Sequence, residues 1–208
     1  MRVNETFVSL QGEGYFTGTA AFFLRFSGCN LQCPFCDTHH QSFKEMSEDE
    51  IVEEASRHEP RHIVITGGEP ALQLTQSLVD KLHEAGFFIQ VETNGTLPLP
   101  KGIDWVTASP KSLTPALSKG DGDEKLPFMG WAVDELKVLY TGDGSDPDNI
   151  LNSPLLGRGR GRLQLYLQPL DTGDEMRNRI ILRDTIAYIL QHPKWSLSLQ
   201  THKLLGIK

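Results

Sequence analysis

The feature that most constrains the fold of this chain is its alternation of strand-like and helix-like stretches. Seven stretches carry the apolar pattern of strands: 20–27, 62–66, 87–93, 104–109, 133–140, 163–168 and 195–200. Alternation of this kind is typical of a mainly parallel sheet. A closed eight-stranded barrel usually takes about 250 residues. The 208 residues therefore predict an α/β fold with an incomplete, TIM-like barrel, formed as a single domain over 1–208.

Three helices are predicted between the strands. Ser47 and Glu50 form a capping-box pattern ahead of an apolar run, which predicts that a helix begins there. The stretch 72–85 places its apolar residues on one helical face and stops at Gly86, a common C-terminal cap. A third helix is predicted over 174–191.

Polar residues alternate along the C-terminal halves of the predicted strands. They are Gln90, Glu92 and Asn94; Thr107, Ser109 and Lys111; Glu135 and Lys137; Gln164, Tyr166 and Gln168; Ser198, Gln200 and His202. A half-solvated antiparallel sheet would show the same alternation. In a parallel sheet, however, both faces are normally covered, and ligands bind at the carboxyl ends of the strands. The pattern therefore favours a polar ligand cavity.

The only three cysteines of the chain are Cys29, Cys33 and Cys36, spaced as C-x3-C-x2-C directly after the first predicted strand. Clustered thiols in a reducing compartment indicate metal binding or catalysis. Two kinds of site fit this pattern: zinc, with His39 or His40 as the fourth ligand, or a 4Fe-4S cluster held by three thiolates. Such a cluster keeps one iron open for a cofactor or substrate.

The cysteine pattern resembles the signature of the radical S-adenosylmethionine (SAM) superfamily, whose fold is a complete or partial barrel with the cluster loop after its first barrel strand. In that superfamily SAM chelates the open iron and is cleaved to a 5′-deoxyadenosyl radical. Phe35 matches an aromatic position of the signature. Gly67, Gly68 and Glu69 resemble the superfamily's GGE segment, in which paired glycines permit close backbone approach and the carboxylate suits an ammonium group. Seen alone, this segment also fits a tight strand-to-helix turn.

Further segments resemble, in the same order, those of the 7-carboxy-7-deazaguanine synthase family. They are LQGEG at 10–14, Arg25, CDT at 36–38, ETNGT at 92–96, SPK at 109–111, ELK at 135–137, QP at 168–169 and QTHK at 200–203. The resemblance implies a homodimeric lyase that converts 6-carboxy-5,6,7,8-tetrahydropterin to 7-carboxy-7-deazaguanine and ammonia, in queuosine biosynthesis. It also implies a 4Fe-4S cluster, SAM and magnesium as cofactors, with an electron donor of the flavodoxin or ferredoxin type.

The resemblance also assigns roles to individual residues. Cys29, Cys33 and Cys36 would hold the cluster, and Thr38 a magnesium ion. The residues assigned to SAM are Phe35, Asp37, Gly68, Glu69, Glu92, Asn94, Ser109, Pro110, Lys111, Lys137 and Gln168. The residues assigned to the substrate are Leu10, Gln11, Gly12, Glu13, Arg25, Thr66, His202 and Lys208.

Two of these assignments compete with simpler structural roles. Arg25 lies in an otherwise apolar strand, where a buried arginine needs an anion. The substrate carboxylate would meet that need, but so would an acidic side chain of the protein. Thr38 offers magnesium a single neutral oxygen, so waters or substrate oxygens would have to complete the site. As an alternative, Asp37 or Thr38 fits a helix N-cap.

Composition narrows the class of partner. A net charge of -7 without a sustained basic run argues against nucleic acid or an anionic membrane surface. No apolar run approaches the roughly 20 residues that cross a bilayer, and the polar N-terminal stretch lacks a signal-peptide pattern. We therefore expect a cytoplasmic enzyme with a small substrate. Two alternatives stay open: an activating enzyme for glycyl-radical enzymes, which shares the cysteine spacing, and a non-enzymatic Cys3His zinc module.

Overall fold

The computed structural model describes residues 1–36, 42–111, 132–152 and 163–208. This described part contains nine strands and four α-helices. The strands are β1 (Arg2–Leu10), β2 (Ala20–Phe26), β3 (Lys44–Glu45), β4 (His62–Gly67), β5 (Phe88–Thr93), β6 (Trp105–Ala108), β7 (Glu135–Tyr140), β8 (Gln164–Pro169) and β9 (Ser196–Leu197). The α-helices are α1 (Glu48–Ser56), α2 (Gln76–Glu84), α3 (Glu175–Gln191) and α4 (Thr201–Leu205), and short 3-10 helices occupy Pro70–Leu72 and Pro147–Asn152.

The nine strands form one sheet in the order β3-β1-β2-β4-β5-β6-β7-β8-β9. Neighbouring strands from β2 to β9 pair in parallel, whereas β1 is antiparallel to β2 and β3 is antiparallel to β1. Over the described ranges the sheet is open, with β3 and β9 at its edges. The predicted partial barrel of mainly parallel strands is confirmed, and its first barrel strand is β2.

The two faces of the sheet differ in chemistry. One face carries an apolar core that includes Phe22, Leu24, Ile63, Ile65, Ile89 and Val91 and packs with apolar residues of α1 and α2. A second apolar cluster on β7, β8 and the adjoining chain includes Leu136, Val138, Leu167 and Trp195. Because side chains alternate along a strand, the intervening residues lie on the opposite face. That face carries Arg25, Thr66, Glu92, Lys137 and Gln168, as the alternation predicts.

Local capping explains where two of the helices begin. At α1 the predicted capping box forms: Ser47 Oγ accepts a hydrogen bond from the Glu50 backbone, and the Glu50 carboxylate accepts one from the Ser47 backbone. The helix predicted over 72–85 is shorter in the structure. Thr75 Oγ1 accepts from the backbone nitrogen of Leu78 at 3.0 Å, so α2 begins only after this cap.

Strand β1 was missing from the predicted elements. Of its nine residues only Val3 is buried, so its apolar alternation is weak. The turn after it, residues 11–19, folds back against the first residues of the parallel strands. There Tyr15 stacks on Trp105 with ring centroids 4.8 Å apart, and Phe16 lies edge-on to His62 at 4.8 Å. This turn brings the 10–14 motif onto the polar face of the sheet. Among the helices of the described ranges, none is long and apolar enough to cross a bilayer.

Candidate active site

The loop that carries the cysteines lies directly against the two glycines at the end of β4. The backbone nitrogen of Glu69 donates to the Gly28 carbonyl at 2.9 Å, and that of Gly68 donates to the Phe26 carbonyl at 3.2 Å. A Cβ atom on Gly68 would lie 2.1 Å from the Gly28 carbonyl oxygen and 2.9 Å from Cys29 Cβ. The close backbone approach predicted for this segment therefore has a defined partner, which is the cysteine loop.

The cysteine loop exposes its three thiols to different degrees. Cys29 and Cys33 are half-buried and Cys36 is exposed. Burial raises the pKa of the Cys33 thiol; Lys111 opposes this rise, and the neighbouring Cys29 and Cys36 add to it. No three His, Cys, Asp or Glu side chains within the described residues are gathered at metal-binding spacing. The fit to an iron-sulfur cluster rests instead on the donor type, three thiols on one short loop, and on the glycine contact beside them.

Glu69 is fully buried and is bonded to protein groups on both carboxylate oxygens. The carboxylate accepts hydrogen bonds from Thr93 Oγ1 at 2.7 Å, from the backbone nitrogen of Asn94 at 2.8 Å and from the backbone nitrogen of Ala71 at 2.9 Å. Burial raises the pKa of Glu69, and these donors act against the rise. Glu69 thus ties the end of β4 to the end of β5. Its predicted contact with the ammonium of SAM stays a prediction.

Several of the other residues assigned to SAM adjoin this point. Asn94 Nδ2 donates to Asn30 Oδ1 in the cysteine loop at 3.0 Å. The backbone nitrogen of Ser109 donates to the Thr93 carbonyl at 2.8 Å, which places the 109–111 segment beside the end of β5. There Pro110 is buried, and Lys111 Nζ donates to Ser109 Oγ at 3.0 Å. Phe35 is half-buried within the cysteine loop. The residues assigned to SAM on β4, β5 and β6 therefore converge at the carboxyl ends of these strands.

Glu13 reaches from the turn after β1 into the polar face of the sheet. Its Oε2 accepts a hydrogen bond from Lys137 Nζ on β7. Its Oε1 accepts from Gln168 Nε2 on β8 at 3.2 Å and from Gln200 Nε2 at 3.0 Å. One carboxylate therefore joins β7, β8 and the segment before α4.

Glu92 extends this polar network to β5. Its Oε1 accepts from Gln11 Nε2 at 2.9 Å, and its Oε2 lies 3.6 Å from Lys137 Nζ. Gln11 and Glu13, which the resemblance assigns to the substrate, are thus bonded to Glu92 and Lys137, which it assigns to SAM. The structure does not separate these residues into two independent sets.

Burial and close charges shift the pKa values in this network. Burial alone would raise the pKa of Glu13, but Lys137 lowers it to about 2. Burial raises the pKa of Glu135 to about 7, against the opposing effect of Lys137. Burial alone would lower the pKa of Lys137. The carboxylates of Glu13, Glu92 and Glu135 outweigh this effect and raise the pKa above its ordinary value. At neutral pH Glu13 is therefore a carboxylate and Lys137 an ammonium.

Two residues that received no role from the sequence hold the turn in place. Glu135 Oε2 accepts from the Tyr15 backbone at 3.0 Å, and Ser198 Oγ accepts from the Gly14 backbone at 3.0 Å. Gly14 has a φ of +66°, and a Cβ atom there would lie 2.0 Å from Glu135 Oε1. Both residues belong to the predicted polar face, so the alternation was the signal that could have singled them out.

The segment around α4 packs against the same turn. Thr201 donates to the Gly12 carbonyl through its backbone nitrogen at 3.0 Å and through Oγ1 at 2.9 Å. A Cβ atom on Gly12 would lie 2.2 Å from His202 Nδ1. The structure therefore brings His202 together with Gly12, and the contact of both with the substrate stays a prediction.

Arg25 lies at the side of this site, next to Thr66 in the register between β2 and β4. Its Nε donates to Glu5 Oε1 at 3.0 Å, and Lys208 Nζ contacts the other oxygen of Glu5. Leu10, at the end of β1, is exposed. The acidic protein partner considered for Arg25 is present, and the pairing of Arg25 with a substrate carboxylate stays a prediction. Asp37, Thr38, His39 and His40 lie outside the described residues.

Comparison with known proteins agrees with this arrangement. An open parallel barrel with three thiols after its first strand defines the radical SAM class, and residues 24–126 match the model of the Radical SAM superfamily. The chain is 44% identical to the 7-carboxy-7-deazaguanine synthase of Bacteroides thetaiotaomicron, over 100% of this chain and 98% of the relative. It is 36% identical to that of Bradyrhizobium diazoefficiens, over 99% and 98%. The protein belongs to the 7-carboxy-7-deazaguanine synthase family.

A solved structure supports the same family assignment. The crystal structure of QueE from Escherichia coli matches with a TM-score of 0.70 at 28% identity, over 95% of this chain and 92% of that chain. Membership in the radical SAM superfamily implies a 4Fe-4S cluster and SAM as cofactors, and a small molecule as substrate. The relatives support neither the zinc module nor the activating enzyme that the cysteine spacing left open.

Proposed function

We propose that this protein converts 6-carboxy-5,6,7,8-tetrahydropterin to 7-carboxy-7-deazaguanine with release of ammonia, on the route to queuosine. The observation that carries the proposal is the junction of two groups of residues at the end of β5. Glu92 bonds Gln11 of the 10–14 turn, while Asn94, two residues further along the same face, bonds Asn30 of the cysteine loop. A ligand in the first group would therefore lie next to a cofactor held by the second.

The bound cluster and SAM would supply the one-electron chemistry that begins the ring contraction. The chain itself holds and orients the reactants, and its residues divide by task. The cysteines hold the cluster, and the 109–111 segment with Asn94 lies where SAM would bind. Gln11, Glu13 and the Gly12 backbone offer donors and acceptors to a pterin edge. The aromatic contacts of Tyr15 and Phe16 close the opposite end of the interior and help to exclude water.

Several finer features belong to the same proposal. Thr38 binds magnesium, which would polarise the substrate or hold its carboxylate. His202 and Lys208 close over the substrate. The protein works as a cytoplasmic homodimer of single-domain chains and takes its electron from a donor of the flavodoxin or ferredoxin type. The net charge of -7 supports a small-molecule enzyme over one that binds nucleic acid.

The proposed reaction can be tested on anaerobically purified protein. Iron and sulfide analysis should give one 4Fe-4S cluster per chain. With dithionite, SAM, magnesium and 6-carboxytetrahydropterin, mass spectrometry should detect 7-carboxy-7-deazaguanine, and omission of magnesium should slow its formation. A fully loaded protein that makes no product would overturn the substrate assignment. Detection of zinc in place of iron would contradict the assignment of an iron-sulfur cluster.

Arg25→Ala should weaken use of the substrate and leave the cluster in place. Loss of a buried charge pair with the substrate carboxylate costs about 2 kcal/mol, or about 30-fold in KM. The matched control is Arg57→Ala at the exposed C-terminal cap of α1, where the ion pairs with Glu53 and Glu54 contribute little. Steady-state kinetics and iron analysis distinguish the two roles of Arg25. If iron content falls as far as activity, Arg25 is structural.

A further inference from the structure

The surroundings of Lys137 differ from those expected of a residue that contacts SAM. Its side chain is only 6% exposed, and its ammonium contacts Glu13 and lies 3.6 Å from Glu92. Both carboxylates are bonded to amides on the polar face: Glu13 to Gln168 and Gln200, and Glu92 to Gln11. Lys137 therefore contacts Glu13 of the 10–14 turn and lies close to Glu92, which bonds Gln11 of the same turn.

Two carboxylates, Glu13 and Glu92, share the Lys137 ammonium, and their four oxygens can accept more hydrogen bonds than the described contacts supply. The other ionisable groups facing Lys137 are Glu135 on its own strand, and Lys111 after β6. His202 on α4 faces Glu13. A buried excess of acceptors favours a ligand that presents several N–H donors.

The aminopyrimidinone edge of a pterin presents such donors, on its ring nitrogen and on its exocyclic amino group. We propose that Lys137 is a positioning residue for the pterin: by bridging Glu13 and Glu92, it holds both carboxylates as a paired acceptor for that donor edge. This inference rests on the proposed function and deepens it, because it names the group that sets the specificity of the substrate site.

The electrostatics of the site agree with this geometry. Burial by itself raises the pKa of Glu13, and Lys137 is the main group that lowers it to about 2. Without Lys137, two neighbouring carboxylates would face each other in a buried space, and their pKa values would rise. A protonated carboxyl group donates where the pterin edge also donates, so binding would then improve only as the pH is raised.

Binding can be measured without turnover by using fluorescent 6-carboxypterin as the probe, with anaerobic holoprotein, SAM and magnesium. Lys137→Met should weaken its binding about 30-fold near neutral pH, as expected for loss of about 2 kcal/mol. The dissociation constant of this variant should fall as the pH rises, whereas that of the unmodified protein should change less. Lys137→Arg keeps the charge and should keep the flatter pH profile.

The matched control is Lys111→Met, which alters the lysine assigned to SAM beside Ser109. Binding of SAM is read from the change it causes in the electron paramagnetic resonance spectrum of the reduced cluster. Lys137→Met should keep this spectral change while losing pterin affinity, and Lys111→Met should show the reverse. If Lys137→Met instead loses the spectral change and binds 6-carboxypterin normally, Lys137 is a SAM contact and the proposal is wrong.

Specificity gives a second readout. 6-Carboxylumazine has a carbonyl group where the pterin has its amino group, so it presents an acceptor to the carboxylate pair. The unmodified protein should prefer the pterin by about 100-fold or more, since a site built for a donor rejects an analogue that lacks it. Lys137→Met should lose most of this preference. An unchanged preference would overturn the proposal.

Two outcomes separate this proposal from the function on which it rests. If the unmodified protein neither binds 6-carboxypterin nor makes product, the proposed function fails. If it does both and Lys137→Met matches it, only the role of Lys137 fails. Should Lys137→Met not fold, the double variant Glu13→Gln with Lys137→Met removes both charges. This double variant should keep the SAM spectral change and bind 6-carboxypterin weakly. Loss of the spectral change with normal binding of 6-carboxypterin would contradict the positioning role of Lys137.

Discussion

Gly68→Ala should abolish formation of 7-carboxy-7-deazaguanine and lower the iron content of the protein. The added Cβ atom would lie 2.1 Å from the carbonyl oxygen and 2.6 Å from the carbonyl carbon of Gly28, and 2.9 Å from Cys29 Cβ. These are backbone and ligand atoms that no rotamer change can move. The cysteine loop would have to shift as a whole, and with it the thiols that hold the cluster. Iron per chain and the rate of product formation measure the effect.

A control glycine separates this local clash from general destabilisation. Gly86, after α2, has a φ of +82° and open space around a Cβ atom built there. Gly86→Ala should cost about 1–2 kcal/mol through its left-handed backbone, while iron content and activity stay near normal. Near-normal activity of Gly68→Ala would show that the two loops do not need their close contact.

Glu13→Gln should destabilise the protein by about 3–5 kcal/mol, because it leaves the buried ammonium of Lys137 without its nearest carboxylate. Thermal unfolding of anaerobic holoprotein measures the change. A matched control is Glu54→Gln on α1. The ion pair of Glu54 with Arg57 is partly exposed, so its loss should lower the free energy of unfolding by less than about 1 kcal/mol. Equal melting temperatures for the two variants would contradict the buried ion pair.

The same variant should change how stability depends on pH. The pKa of Glu13 is lowered from 4.5 to about 2 in the folded protein. A carboxyl group with a lowered pKa stabilises the fold fully above its unfolded pKa and loses this contribution as the pH falls through the folded pKa. The stability difference between the unmodified protein and Glu13→Gln should therefore be largest above pH 4.5 and shrink toward pH 2. A constant difference across that range would argue against the depressed pKa.

The sequence predicted the barrel well because the parallel strands are buried and apolar on one face. Strands β4, β5 and β7 appeared at the expected places, and the capping box at Ser47 fixed the start of α1. Strand β1 was not predicted because only Val3 of its nine residues is buried, so the strand carries little apolar patterning. The paired glycines predicted a close approach, yet their partner, the cysteine loop, became known only from the fold.

The contacts between residues of the site were harder to predict from the sequence than the strands were. Lys137 and Glu13 are 124 positions apart, and they meet only because the turn after β1 folds back onto the polar face. Alternation places Lys137 on that face but does not say which ligand or carboxylate it meets there. Alternation places Glu135 and Ser198 on the polar face, but the backbone groups of the turn that they bond depend on the same long-range folding.

The proposed ring contraction is tested most directly by the ratio of 7-carboxy-7-deazaguanine formed to SAM consumed, with SAM limiting and pterin in excess. In the proposed reaction the hydrogen atom returns from 5′-deoxyadenosine and SAM is regenerated, so each SAM should support many turnovers and the ratio should be well above one. Accumulation of 5′-deoxyadenosine without any 7-carboxy-7-deazaguanine, by protein with a complete cluster, would contradict it.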